Sequence, residues 1–140
     1  ARNGVGYDSV DLAAATASQA VEPSDPRIDA LRRHALGNGF LELLVLRRNE
    51  RDRPDGARSQ PHLEAFTTKT GATLAAMERE AGTYAAKPFD IGHVGIGCGL
   101  AYFDFRFADE NWRPTHPRLA AWHETFSARP SAIATKFVDG

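Results

Sequence analysis

From residue 26 onward the apolar positions recur at steps of three and four, the spacing of helices with one buried face. The clearest stripe is Leu63, Phe66, Thr70, Leu74, Met77 and Ala81, which predicts a helix starting near Ser59 to Pro61 and closing at Gly82. Upstream, Asp25 followed by Pro26 is a helix start, a side-chain acceptor and then a proline whose missing N–H costs nothing. Only Gly37 and Gly39 interrupt the run from there to about Arg51. Within it FLELLVL, residues 40–46, is apolar nearly all the way round, with Glu42 its one polar residue. That pattern predicts cover on several sides, by neighbouring helices or by a second subunit. The charged stretch 48–61 holds Pro54 and Gly56 and reads as a solvated loop. Downstream of Pro114 and Pro117, Leu119, Trp122 and Phe126 repeat the helical step, and Pro130 opens a last short turn. No alternating strand pattern occurs between 26 and 136, so the expected fold is all-α, about five helices, with no internal repeat.

The stretch FDIGHVGIGCGLAYFDFRF, 89–107, carries glycines at 92, 95, 97 and 99. A phosphate loop needs a strand before it and a G-x-G-x-x-G spacing, and neither is present. A helix accounts for more of these residues. Asp90 is an N-cap, His93 stands at N3 as the capping-box partner, and Phe89 and Val94 occupy the two positions of a hydrophobic staple. Each glycine then costs about 1 kcal/mol relative to alanine, so the helix is expected at a central position where neighbouring backbones approach closely. Cys98 and Leu100 are expected to be buried with it.

Composition narrows the functional classes. Seventeen basic residues against eighteen acidic leave no electrostatic footprint for nucleic acid or an anionic membrane surface. No run is long and apolar enough for a membrane span, the opening ARNGVGYDSVDL has no signal-peptide core, and one cysteine forms no internal disulfide. The expected setting is cytoplasmic. The histidines at 34, 62, 93, 116 and 123 have no i, i+4 ligand spacing, so no metal site is expected.

The run 89–107, followed by NWRPTHPRLAAWHETFSARPS, resembles the C-terminal helical domain of bacterial glutathione S-transferase-like proteins. The shared features are the capped central helix, the aromatic-Asp-Phe-Arg segment Tyr102 to Arg106, and Trp112, Arg113, His116, Pro117, Leu119, Trp122 and Arg129 to Ser131. His93 departs from the pattern, since many members carry aspartate there. The resemblance covers roughly 26–136 and implies a division into a linker or remnant, 1–24, and a helical domain, 25–140. It implies glutathione as co-substrate, a homodimer, and a thioredoxin-like domain that activates the thiol and that these residues do not contain. No catalytic residue is therefore assigned. Asp8 and Ser9 in GVGYDSVDL match the acidic residue and serine that grip the γ-glutamyl carboxylate in that family.

For a substrate pocket the resemblance points to the inner face of the first long helix. His34, Asn38 and Glu42 lie there at i, i+4 and i+8, with Tyr102 as an aromatic wall, against the simpler reading of a polar stripe in water and core packing. Trp122 and Phe105 are expected in the core, and Arg106 to pair with Glu110 four residues on. Two functions stand: the substrate-wall and dimerisation half of a thiol-conjugating transferase, inactive alone, or a non-catalytic helical scaffold for protein–protein interaction.

Overall fold

A computed structural model describes residues 25–137, so Asp8 and Ser9 lie outside the described residues. The elements are α1 (Pro26–Arg51), α2 (Gln60–Ala86), α3 (Ile91–Arg106), a 3₁₀ turn (Arg113–Thr115), α4 (Pro117–Ser127) and α5 (Pro130–Ala134). No strand occurs among the described residues. Four of the helices form an up-down bundle around Phe40, Leu44, Leu74, Met77, Tyr84, Ile96, Leu100, Phe103, Leu119 and Trp122. The expected stripe of α2 turns toward this core, with Thr70, Leu74, Met77 and Ala81 buried and Leu63 and Phe66 half-buried.

Each helix start has a separate physical reason. At α1 the Asp25 carboxylate accepts from Arg27 N–H at 2.9 Å, ahead of Pro26. At α2 the Ser59 side chain makes no cap bond; its N–H instead donates to the buried Glu50 Oε1 at 2.6 Å, which ties the α1–α2 turn across its base. At α4 the cap comes from another helix, because the Glu78 carboxylate of α2 accepts from Arg118 N–H at 3.2 Å and Leu119 N–H at 2.8 Å. Burial alone would raise the Glu78 pKa, but these donors and the Arg118 guanidinium lower it.

α1 and α3 lie side by side and run the same way, joined by glycine. A Cβ on Gly37 would stand 2.3 Å from the Gly95 carbonyl carbon, and one on Gly92 would stand 2.8 Å from the Ala30 oxygen. Gly99 faces Phe40 and the Gly37 carbonyl, while Gly97 points the other way, under the ring of Phe126. The glycines of α3 thus serve two contacts, three against α1 and one against α4. A buried cation sits where α1 and α3 both begin. Arg33, 1% exposed, pairs with Asp29 and, at 2.6 Å, with Asp90. Lys87 also pairs with Asp29, and these two cations hold its carboxyl at about 2, against burial that raises it.

Several expectations need correction. α2 passes through Gly82 to Ala86, because Gly82 has open space around its Cα and no left-handed turn is required there. Of FLELLVL, this chain's own helices bury Phe40 and Leu44, while Val45 and Leu46 are 37% and 54% exposed. Cys98 is exposed, since it lies on the side of α3 away from the glycine contacts. Glu110 pairs with Arg47 of α1 at 2.6 and 3.0 Å, not with Arg106. The Arg106 guanidinium instead lies 4.1 Å over the Phe105 ring.

Candidate functional site

The α3 start is held by the capping box. Asp90 Oδ1 accepts from Gly92 N–H at 2.9 Å and His93 N–H at 3.3 Å, and the Asp90 N–H donates to His93 Nδ1 at 3.1 Å. The imidazole closes the box: its Nδ1 lies 3.1 Å from the Asp90 nitrogen and 2.8 Å from Asp90 Oδ1, and its Nε2 donates to the Tyr84 carbonyl at 2.9 Å. His93 is buried, so this ring also links α3 to the end of α2. Phe89, 44% exposed, stacks on His93 and Phe126, at ring distances of 5.4 and 6.3 Å. Val94 is half-buried.

With the glycines of α3 turned to α1 and α4, its remaining face is apolar and outward. Ile91, Val94, Cys98, Ala101, Tyr102 and Phe105 occupy it at helical steps, with Ile91 and Cys98 exposed and the others half-buried. His34 of α1 lies along its edge, where a Cβ on Gly95 would stand 3.4 Å from the imidazole. Asn38 Nδ2 is 3.3 Å from His34 Nε2, so those two predicted pocket residues are coupled, and Glu42 is exposed one turn further on. Tyr102 is two turns beyond Gly95 on α3. His34 and Asn38 therefore lie together on α1, with His34 at the α3 edge, while Glu42 lines the groove between α1 and α2.

A cavity of about 580 Å³ opens beside this stripe, lined by Cys98, Phe105, His123, Phe126, Ile133 and Phe137 among others. Phe137 brings the chain's end across it, stacking on Phe105 at 5.6 Å and meeting Tyr102 edge-on at 5.8 Å. Sequence reasoning did not place His123, Ile133 and Phe137 here. Their helical period marks only the core face of α4, and residues after 130 carry no stripe at all.

The cavity's polar base is a linked set. Asp104 accepts from Trp112 Nε1 at 2.8 Å and from both terminal nitrogens of Arg113, at 2.8 and 2.6 Å. Burial pushes the Asp104 pKa up, but these donors outweigh it and hold the carboxyl below its ordinary value. His123 Nδ1 lies 3.7 Å from Asp104 Oδ2, and burial pushes its pKa below 6.5 although Asp104 opposes the shift. A histidine depressed on folding binds fewer protons folded than unfolded, so it contributes stability above 6.5 that is lost as pH falls. Unfolding in urea at pH 7.5, 6.0 and 5.0 should show that loss, and His123→Phe should flatten it. Partial desolvation against the cavity wall pushes the thiol of the otherwise exposed Cys98 up, away from thiolate chemistry at neutral pH. Among the described residues no group of three or more His, Cys, Asp or Glu is placed to hold a metal, and no helix is long and apolar enough to cross a membrane.

Geometry and comparison agree first on a class, an all-helical bundle built on a capped central helix. The family model for the glutathione S-transferase C-terminal domain matches residues 60–125. A glutathione transferase family member from Pseudomonas fluorescens Pf-5, solved with bound S-(propanoic acid)-glutathione, is 37% identical with a TM-score of 0.77. That match covers 84% of this chain and 61% of the other. A glutathione S-transferase from Methylobacterium radiotolerans JCM 2831, in complex with glutathione sulfonate, is 30% identical with a TM-score of 0.75, covering 84% of this chain and 58% of the other. A third, from Methylobacillus flagellatus KT with glutathione bound, is 25% identical with a TM-score of 0.76, covering 83% and 60%. No curated protein matches the chain. The chain is a glutathione S-transferase-like C-terminal helical domain. It spans about three fifths of the length of these solved relatives.

Proposed function

We propose that this chain is the substrate-wall and dimerisation half of a glutathione-dependent transferase, with residues 1–24 as linker or remnant and 25–140 as the helical domain. The observation that carries the reading is the outward stripe of α3, an apolar face that suits the docking of a thioredoxin-like domain. Relatives solved with glutathione or its derivatives support the co-substrate. In this reading the partner domain stabilises the glutathione thiolate. The thiolate forms a bond to an electrophilic carbon or to one sulfur of a disulfide, and the leaving group departs with the displaced electron pair. His34, Asn38, Glu42 and Tyr102 form the wall that orients the electrophile, and Asp8 and Ser9 hold the γ-glutamyl carboxylate. The groove between α1 and α2, lined by Leu36, Leu43, Leu46 and Phe66, is the homodimer contact. The setting is cytoplasmic.

The alternative is a non-catalytic helical scaffold for protein–protein interaction. Calorimetric titration of the 140-residue chain with glutathione, beside Ser9→Ala, separates the two. Saturable binding tighter than about 1 mM, weakened by the substitution, is the expected result. No heat at any concentration favours the scaffold.

A further inference from the structure

His123 of α4 is buried against the cavity that opens beside the α3 stripe. Its ring stacks on Phe126 at 6.0 Å and meets Trp112 at 6.1 Å. Nδ1 lies 3.7 Å from Asp104 Oδ2, and the buried Nε2 has no hydrogen-bond partner among the described residues. The charged and titratable groups around the ring come from every neighbouring element. α3 supplies Asp104 and the Cys98 thiol, with the Gly97 carbonyl nearby but outside hydrogen-bond geometry, and the 3₁₀ turn supplies Arg113. Glu124 follows on α4 and is exposed, so water and salt screen it. The terminal segment brings Lys136 to the same cavity. The charge of Asp104 is already matched, since both its oxygens accept from Arg113. A second ring proton on His123 therefore puts an unmatched cation into an apolar wall, in the cavity that Lys136 shares.

The wall with the least hold is the terminal one. α5 buries none of its five residues, and Ile133 and Phe137 are exposed although both line the cavity. The segment's hydrogen bonds run back into itself, from Thr135 N–H and Oγ1 to the Ser131 carbonyl and from Lys136 N–H to the Ile133 carbonyl. Its contact with α3 is aromatic, Phe137 on Phe105 and Tyr102. Such a segment opens at lower cost than the packing beneath it, where Leu119, Trp122 and His123 are buried. We propose that His123 is a proton-operated latch: when its ring gains a second proton, residues 130–137 leave the cavity, water enters, and the Tyr102–Phe105 wall of α3 is uncovered. The driving force is the cost of an unhydrated cation together with its repulsion from Lys136. The latch does not rest on the transferase reading.

NMR of the 140-residue chain between pH 7.5 and 5.0 follows the His123 ring and the Phe137 contacts together. The ring should titrate below 6.5, because burial disfavours its charged form. Cross-relaxation between Phe137 and the rings of Tyr102 and Phe105 should be lost with the same midpoint, while that between α1 and α3 persists. His123→Gln, which stays neutral, should keep the Phe137 contacts at pH 5.0. Phe137→Ala removes the exposed ring that closes the cavity and so lets water reach His123. By reciprocity of linkage it should move the His123 midpoint up toward 6.5. The proposal is overturned if His123 stays neutral to pH 5.0, or if the Phe137 contacts survive its protonation. It is equally overturned if those contacts vanish in His123→Gln, if the α1–α3 contacts are lost with them, or if Phe137→Ala leaves the midpoint in place.

Discussion

Gly37→Ala should lower the stability of the domain by about 3 kcal/mol or more, the upper end of what overpacking costs. The new methyl would meet only backbone: the Gly95 carbonyl carbon at 2.3 Å, the Ile96 nitrogen at 2.5 Å and the Gly95 oxygen at 2.6 Å. No rotamer relieves such a clash, so α1 and α3 have to move apart. That movement also loosens Gly99 against Phe40. Helix propensity works the other way, favouring alanine by about 1 kcal/mol, and is outweighed. Gly39→Ala is the matched control. It sits two residues along the same helix, exposed, with nothing within 4 Å, and should stabilise by about 0.5–1 kcal/mol. Thermal unfolding followed by circular dichroism at 222 nm decides the matter. Equal melting temperatures for the two variants would mean that the α1–α3 distance is set elsewhere.

Asp90→Ala should cost about 3 kcal/mol, roughly 10 °C in Tm for a domain of this size. About 1 kcal/mol belongs to the N-cap, since Gly92 and His93 N–H lose their acceptor. The rest belongs to Arg33, which is 1% exposed and would keep Asp29 as its one remaining carboxylate. Asp90→Asn separates the two contributions. It keeps an oxygen for the cap and removes the charge, so it should recover about 1 kcal/mol of the loss. If alanine and asparagine prove equally mild, the guanidinium is adequately held by Asp29 and the network is not a stability element. The two predictions concern one junction, the paired starts of α1 and α3, on which the position of His34 and Tyr102 depends.

Much of this was legible in advance because helical order is a local property. Asp25–Pro26, the α2 stripe and the Asp90 box each lie within a few residues of the backbone groups they organise, so their spacing carries the information. The glycine-rich stretch was legible for a related reason: a helix that accepts four destabilising residues must gain from close contact. The misplaced features are the ones whose outcome depends on a neighbour. Gly82 reads as a stop, but a glycine stops a helix only where the chain must turn, and here α2 continues. Glu110 reads as a local partner for Arg106, but Arg47, sixty-three residues earlier, reaches it first.

By itself, then, the sequence determined the class of fold, the number and starts of its helices, and the need for a tightly packed centre. Hydrophobic period and capping chemistry act over one or two turns, and they suffice for that. Only the tertiary structure decided which side of each glycine meets which helix, that Glu78 caps α4 from across the bundle, and that Cys98 faces outward. It alone placed Phe137 beside Tyr102, and Arg129 over Phe89. These are contacts between residues far apart in the chain. Their geometry is set by how whole helices pack, and no short-range pattern encodes it.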